Sequence, residues 1–241
     1  MFFFALAAAH AADFAPGEFP HHQLTEVLAK YVDAGGLVDY KGIAADRAGL
    51  DAYVKLVAEV SPKSDPKLFP TREDALAYYI NAYNALAITG VIDRPGLGSV
   101  QDNLFDFFYG TTYVVGKKKI NLYKLENKVV RKEFGDPRIH VALNCQSYGC
   151  PRLPQKAFEP KTLNEDLDAA AKEFATNPKK AYVQDGVVHV SQILEWYGGD
   201  FEAAGGPVAW LNQYGANLPT DAKVQFIPYD WSLSKQEGRG P

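Results

Sequence analysis

Residues 181–190 read AYVQDGVVHV, two short runs rich in β-branched and aromatic residues joined by Asp185-Gly186. That dipeptide tolerates the left-handed backbone of a type I′ turn, so the stretch predicts a β-hairpin. Residues 111–121, TTYVVGKKKIN, alternate around Gly116 and predict a second hairpin, with Lys117, Lys118 and Lys119 at a solvated tip. A last strand is expected in KVQFIPYDW, residues 223–231. Strands that turn straight back, and that do not alternate with helices as βαβ units, predict an α+β fold. We expect a single compact domain with several helices packed on a small, mostly antiparallel sheet built from hairpins. No unit repeats at a period of about 20–50 residues, and no linker is long enough to split the chain.

The helices are signalled by spacing and by caps. HQLTEVLAKYVD (22–33) sets Leu24, Val27, Leu28, Tyr31 and Val32 on one face, and RAGLDAYVKLVAEV (47–60) repeats the pattern. A third helix begins after Pro70, where Thr71 is placed to cap and acids follow in the first turn; it is expected to stop near Gly90. NLYKLENKVVRKEF (121–134), Thr162 to Phe174, QILEWY (192–197) with Ser191 as cap, and PVAWLNQYG (207–215) predict further helices. Residues 235–241 form a polar tail without a packing signal.

The chain of 241 residues carries a net charge of −4, and its only concentrated basic patch is the lysine hairpin tip, which excludes a dedicated nucleic-acid binder. The apolar run MFFFALAAAHAADF ends in Ala9-His10-Ala11, the small-x-small pattern of a signal-peptidase site. Residues 1–11 are therefore expected to be a signal peptide, with residues 12–234 forming the domain in a periplasmic or secreted protein. No integral membrane segment is expected after cleavage. His21 and His22 would lie near the mature N-terminus, exposed to solvent.

Both cysteines lie in RIHVALNCQSYGC, residues 138–150. The first part of this stretch predicts a strand, with His140 and Asn144 on one face and Val141, Leu143 and Cys145 on the other. Three chemistries are open here. In an oxidising compartment Cys145 and Cys150, separated by four residues including Gly149, can close a disulfide that staples a cleft. Alternatively Cys145 is a nucleophile, with His140 or His189 as base and Asn144 orienting the ring. Zinc on the two cysteines and His140 is the third, but no fourth ligand is evident, so no metal is expected.

A second polar group lies on the third helix, where Asn81 and Asn84 share a face beside Tyr79 and Tyr83. Asparagine is a poor interior helix former, so these amides are expected to bind loop backbone or a ligand. Glu126, Arg131, Asp136 and Arg138 are close enough for ion pairs, and an arginine left in the cleft would suit a carboxylate or phosphate. Phosphate-cradling glycine loops, G-x-S-x-G and H-E-x-x-H are absent from the sequence, and no motif implies a cofactor.

The runs YYINAYNALAI (78–88), LENKVVRKEFGDPRIHVALNCQSYGCPRLP (125–154) and IPYDWSL (227–233), with VDYKGI (38–43) before them, resemble the family called domain of unknown function 547. The resemblance extends from about Val38 to Leu233. Position by position it falls on Asn81, Tyr83, Asn84, Glu126, Arg131, Asp136, Arg138, His140, Asn144, Cys145, Ser147, Cys150 and Pro151. Where the family often has a histidine after the glutamate, this chain has Asn127. The resemblance implies membership and an exported bacterial setting, without a reaction. Two function classes follow: a ligand- or peptide-binding domain with a stapled cleft around His140, Asn144 and Cys145, or a thiol-dependent envelope hydrolase or acyl transferase. The partner in either case is a small molecule or peptide.

Overall fold

Thr71 opens the helix around which the protein is built. Its hydroxyl accepts from the Asp74 N–H at 3.0 Å while the Asp74 carboxylate accepts from the Thr71 N–H at 2.9 Å, closing both ends of a capping box. In this computed structural model, which describes residues 14–241, the helices α1 (His22–Tyr31), α2 (Tyr40–Ala45) and α3 (Ala48–Glu59) pack with α4 (Arg72–Ile92). From Leu76 to Ile92 helix α4 is buried on all sides, in keeping with its mostly apolar composition beyond the first turn. By length and composition it would suffice to cross a membrane, but its apolar surface is covered within the fold. It ends at Ile92, close to Gly90 as expected. Glycine is needed at position 90 because a Cβ there would lie 2.6 Å from the Tyr113 hydroxyl oxygen and 3.1 Å from the Phe107 ring.

The middle of the chain forms the hairpin β1 (Tyr113–Val115)–β2 (Lys118–Ile120), turning at Gly116 and Lys117 as expected. Helix α5 (Leu122–Lys124) then continues through a π-helical stretch, Leu125–Val130, into α6 (Arg131–Phe134), which ends at Gly135 in the left-handed conformation. After α7 (Leu163–Thr176) comes the hairpin β3 (Ala181–Gln184)–β4 (Val187–Ser191). Its Asp185 and Gly186 have φ of 51° and 73°, as a type I′ turn demands. Helices α8 (Ile193–Trp196) and α9 (Pro207–Gln213) lie in the crossover that brings β5 (Lys223–Ile227) parallel to β4. The two hairpins are antiparallel and the β4–β5 pair is the parallel exception, so the fold is α+β with a mostly antiparallel sheet content.

Two apolar cores meet in the middle. The larger surrounds α1–α4 and reaches Ile139, Ala142 and Leu143; the smaller joins α7, α9 and the three-stranded sheet and takes in Val141. Residues 139–143 thus run along the seam, in contact with both. The expected strand over 138–145 is not formed. Asp136 accepts from the Arg138 N–H and Pro137 supplies a preset first residue, so residues Pro137–Val141 wind into a 3₁₀ turn. His140 and Asn144 consequently do not share a strand face.

Two further expectations change. His21 is buried against Phe19 and Tyr53, while His22 is exposed as expected. The polar tail is tied down: the Gln236 N–H donates to Val38 O at 3.1 Å, its side-chain amide donates to Tyr31 O and Leu37 O, and the Lys41 N–H donates to Arg239 O. The signal-peptide segment, residues 1–11, lies outside the described residues.

Candidate functional site

The segment after residue 141 pairs with the chain near Leu233 only from Gln146 onward, and at Ala142–Asn144 a side chain, Asn84, stands in for a strand neighbour. Its Nδ2 donates to Ala142 O at 3.0 Å and its Oδ1 accepts from the Asn144 N–H at 2.8 Å, so one side chain satisfies two backbone groups. Asn81 does the same for Phe158, donating to its O at 2.7 Å and accepting from its N–H at 2.9 Å. Both asparagines are therefore backbone partners, as one of the sequence alternatives held. Asn144 continues the network inward: Nδ2 donates to Pro151 O and Oδ1 accepts from the Gln146 N–H.

Gln146 is a residue that the sequence reading passed over. It is fully buried with φ of 72°, a left-handed conformation that costs a non-glycine residue on the order of 1–2 kcal/mol. Its side chain offsets that cost by accepting from the Tyr40 hydroxyl at 2.9 Å and donating to Asn144 O at 3.1 Å. The reversal at Gln146 folds Cys150 back onto Cys145.

The two cysteines are free thiols. Their sulfurs stand 2.9 Å apart, well beyond the ~2.05 Å of a disulfide. The expected staple is thus not closed; the loop is held by hydrogen bonds in its place. Three groups surround the pair. The Tyr229 hydroxyl lies 3.3 Å from Cys145 Sγ and 3.0 Å from Cys150 Sγ, the Cys145 thiol points to Ser147 Oγ at 3.5 Å, and the Cys145 N–H donates to Cys150 Sγ at 3.1 Å. Gly149 is needed for this arrangement, since a Cβ there would fall 2.7 Å from the Tyr229 ring. From outside, the Lys180 ammonium donates to Gly149 O at 2.7 Å and Cys150 O at 2.8 Å, clamping the loop.

These contacts polarise the pair. Hydrogen bonding from Cys150, and then from Tyr229 and Ser147, outweighs burial and lowers the Cys145 thiol to about 7. Burial first, and then the neighbouring sulfur, pushes the Cys150 thiol well up. One proton leaves early, mainly from Cys145, and the second is held.

Cys145 and Cys150 line a cavity of about 70 Å³. Tyr83, Glu126 and His140 reach the same cavity, and Trp196, Tyr197, Tyr229 and Trp231 supply aromatic wall. Glu126 is buried with one oxygen accepting from the Tyr83 hydroxyl at 3.0 Å and the other from Tyr197 at 2.5 Å. His140 stacks on Tyr197 at 4.1 Å between centroids, and its Nε2 meets Asp200 Oδ2 at 2.7 Å. His140 first, then Arg131, hold the Asp200 carboxyl well below the usual carboxylate range.

Of the residues singled out in the sequence, Tyr83, Glu126, His140, Cys145 and Cys150 converge here. Asn81, Asn84, Asn144 and Ser147 stand behind the loop as its supports. Neither arginine is left for a ligand. Arg131 grips Asp200 with Nε and Nη2 while its Nη1 donates to Asn127 Oδ1, so the asparagine at the variant position holds this guanidinium. Arg138 is forked on Asp136 and bonded to Asp168 and Asn164. His189 stacks on Tyr182 in the β3–β4 hairpin. No hydrogen bond joins His140 to Cys145, and among the described residues no three histidine, cysteine or acidic side chains gather as metal donors. Tyr197, Asp200 and Tyr229 were missed as site residues; the aromatic density of EWY and IPYDW was the available signal.

Residues 68–175 match the family described as a protein of unknown function, DUF547. The match covers α4, both cysteines and α7, but ends before Tyr197 and Tyr229. No curated protein and no solved structure matches the chain.

Proposed function

We propose that the cavity is a binding site for a small disulfide or disulfide-bearing peptide, and that Cys145 and Cys150 form a dithiol centre acting on it. The observation that carries this is the contact of the two sulfurs at 2.9 Å under the single hydroxyl of Tyr229. In the reaction, Cys145 thiolate attacks one sulfur of the bound disulfide. A mixed disulfide forms, the substrate S–S bond breaks, and one thiolate leaves. Cys150 then gives its proton to that leaving group or to solvent, attacks Cys145 Sγ and releases the second thiol. The protein pair is oxidised by two electrons to a Cys145–Cys150 disulfide, and the substrate disulfide is reduced to two thiols. Support for Cys145 as the attacking sulfur comes from its partly buried position and lowered thiol, against the buried, raised Cys150. Acyl transfer at the same thiol is less well supported, because the partners of Cys145 are Cys150, Ser147 and Tyr229, while His140 is turned to Asp200.

Cys150→Ala separates the two steps. Exposed to bis(2-hydroxyethyl) disulfide, the variant should hold a stable mixed disulfide on Cys145, while the wild type loses two hydrogens in mass and keeps no adduct. Unreacted Cys145, or a wild type that retains the adduct, would contradict the proposal. We extend the proposal to an exported protein cleaved before Ala12, where disulfide substrates are available. Intact-mass measurement of cell fractions decides that point, and full-length protein in the cytoplasm would overturn it.

A further inference from the structure

Glu126 is a buried carboxylate with no salt bridge among the described residues. Both oxygens accept from tyrosine hydroxyls, and among the described residues no lysine or arginine forms a salt bridge with it. None lines the cavity either. The Arg131 guanidinium feels the Glu126 charge at a distance, but it is held by Asp200 and Asn127 and lies over the Tyr197 ring at 4.6 Å. Buried charges in folded proteins are ordinarily paired, since an unpaired one forfeits hydration without return. The remaining wall reinforces the sign of the vacant partner. Trp196, Tyr229 and Trp231 pack with ring centroids 4.5–5.6 Å apart, and aromatic faces attract cations. Cys145, when it is deprotonated, adds a second negative charge.

We infer that the ligand brings the missing charge: the cavity accepts the ammonium end of an organic cation, held by Glu126 and the aromatic faces. The volume of about 70 Å³ is roughly half that of a cavity that holds benzene, which fits an alkylammonium end with the rest of the ligand outside. Joined to the dithiol reading, on which it rests for its reporter, this defines the substrate class as disulfides bearing a nearby ammonium group.

Three disulfides of similar size test this on the reduced protein: cystamine with two ammonium ends, bis(2-hydroxyethyl) disulfide with none, and 3,3′-dithiodipropionate with two carboxylates. Rates of oxidation of the pair are normalised to those of a small free thiol in the same buffer. Cystamine should exceed the neutral disulfide by about tenfold and the dianion should be slowest. Glu126→Gln should reduce the cystamine advantage to under about twofold, which separates Glu126 from the overall charge of −4. Equal normalised rates, or an advantage that survives Glu126→Gln, would overturn the inference. If none of the three oxidises the pair, the dithiol reading falls and the charge preference is read by binding alone. Butylammonium should then perturb the fluorescence of Trp196 and Trp231 at concentrations about tenfold below butanol. Equal responses would overturn the inference there as well.

Discussion

Replacing Asn84 by leucine removes the only partners of two buried backbone groups, Ala142 C=O and Asn144 N–H, which the amide meets at 3.0 and 2.8 Å. Asn84 is 3% exposed, and the residues from Ala142 to Asn144 are buried as well, so water does not readily substitute. Each orphaned group costs about 1–3 kcal/mol, giving about 2–6 kcal/mol together. Leucine is close in size, so little of the loss comes from a cavity. At about 2–4 °C per kcal/mol for a chain of this length, the melting temperature should fall on the order of 10 °C. Circular dichroism melts of wild type and Asn84→Leu at pH 7, with urea unfolding as a second measure, give the comparison. A melting temperature within about 1 °C of wild type would refute the claim that this side chain stands in for a strand.

His21 makes stability depend on acid. Asn81 Nδ2 donates to Nδ1, so the ring is neutral with its proton on Nε2, and burial lowers it from 6.5 to about 3. The unfolded chain therefore takes up a proton that the folded protein refuses. Stability from this group is complete above pH 6.5 and falls by about 1.4 kcal/mol per unit as the pH drops towards 3. Urea unfolding at pH 7 and pH 5 should show His21→Gln losing about 2 kcal/mol less than wild type over that interval, and equal losses would exclude the account. Tyr229→Phe removes the hydroxyl that contacts both sulfurs. Hydrogen bonds to a charged group are worth about 1.5–3 kcal/mol, so the Cys145 titration should rise by about 1 unit or more, read from the pH profile of its alkylation; an unmoved profile would sever Tyr229 from the thiolate.

What was legible in the sequence was local. Asp185-Gly186 specifies its turn without help from distant residues, and Thr71 with Asp74 specifies a helix start within one turn. The resemblance spanning 125–154 likewise located the segment that supplies both cysteines and Glu126. What was hidden depends on partners far along the chain. RIHVALNC alternates like a strand, but its last backbone groups pair with an amide on α4, and no alternation pattern reports that. That Gly90 is needed for the approach of Tyr113 and Phe107 was likewise hidden, because the contact is tertiary. The cysteines lay close enough in sequence to bond, whereas the hydroxyl that bridges them arrives from Tyr229, beyond β5. His21 read as exposed from its place near the terminus, yet Phe19, Tyr53 and Asn81 enclose it.

The dithiol centre is tested most directly by alkylating the reduced protein with iodoacetamide across pH 5–10 and quantifying each cysteine by peptide mass spectrometry. The structure predicts labelling of Cys145 with a midpoint near 7, while Cys150 stays unlabelled until the protein unfolds. Equal labelling of both cysteines with one midpoint at the ordinary thiol value of about 8.5 would contradict it.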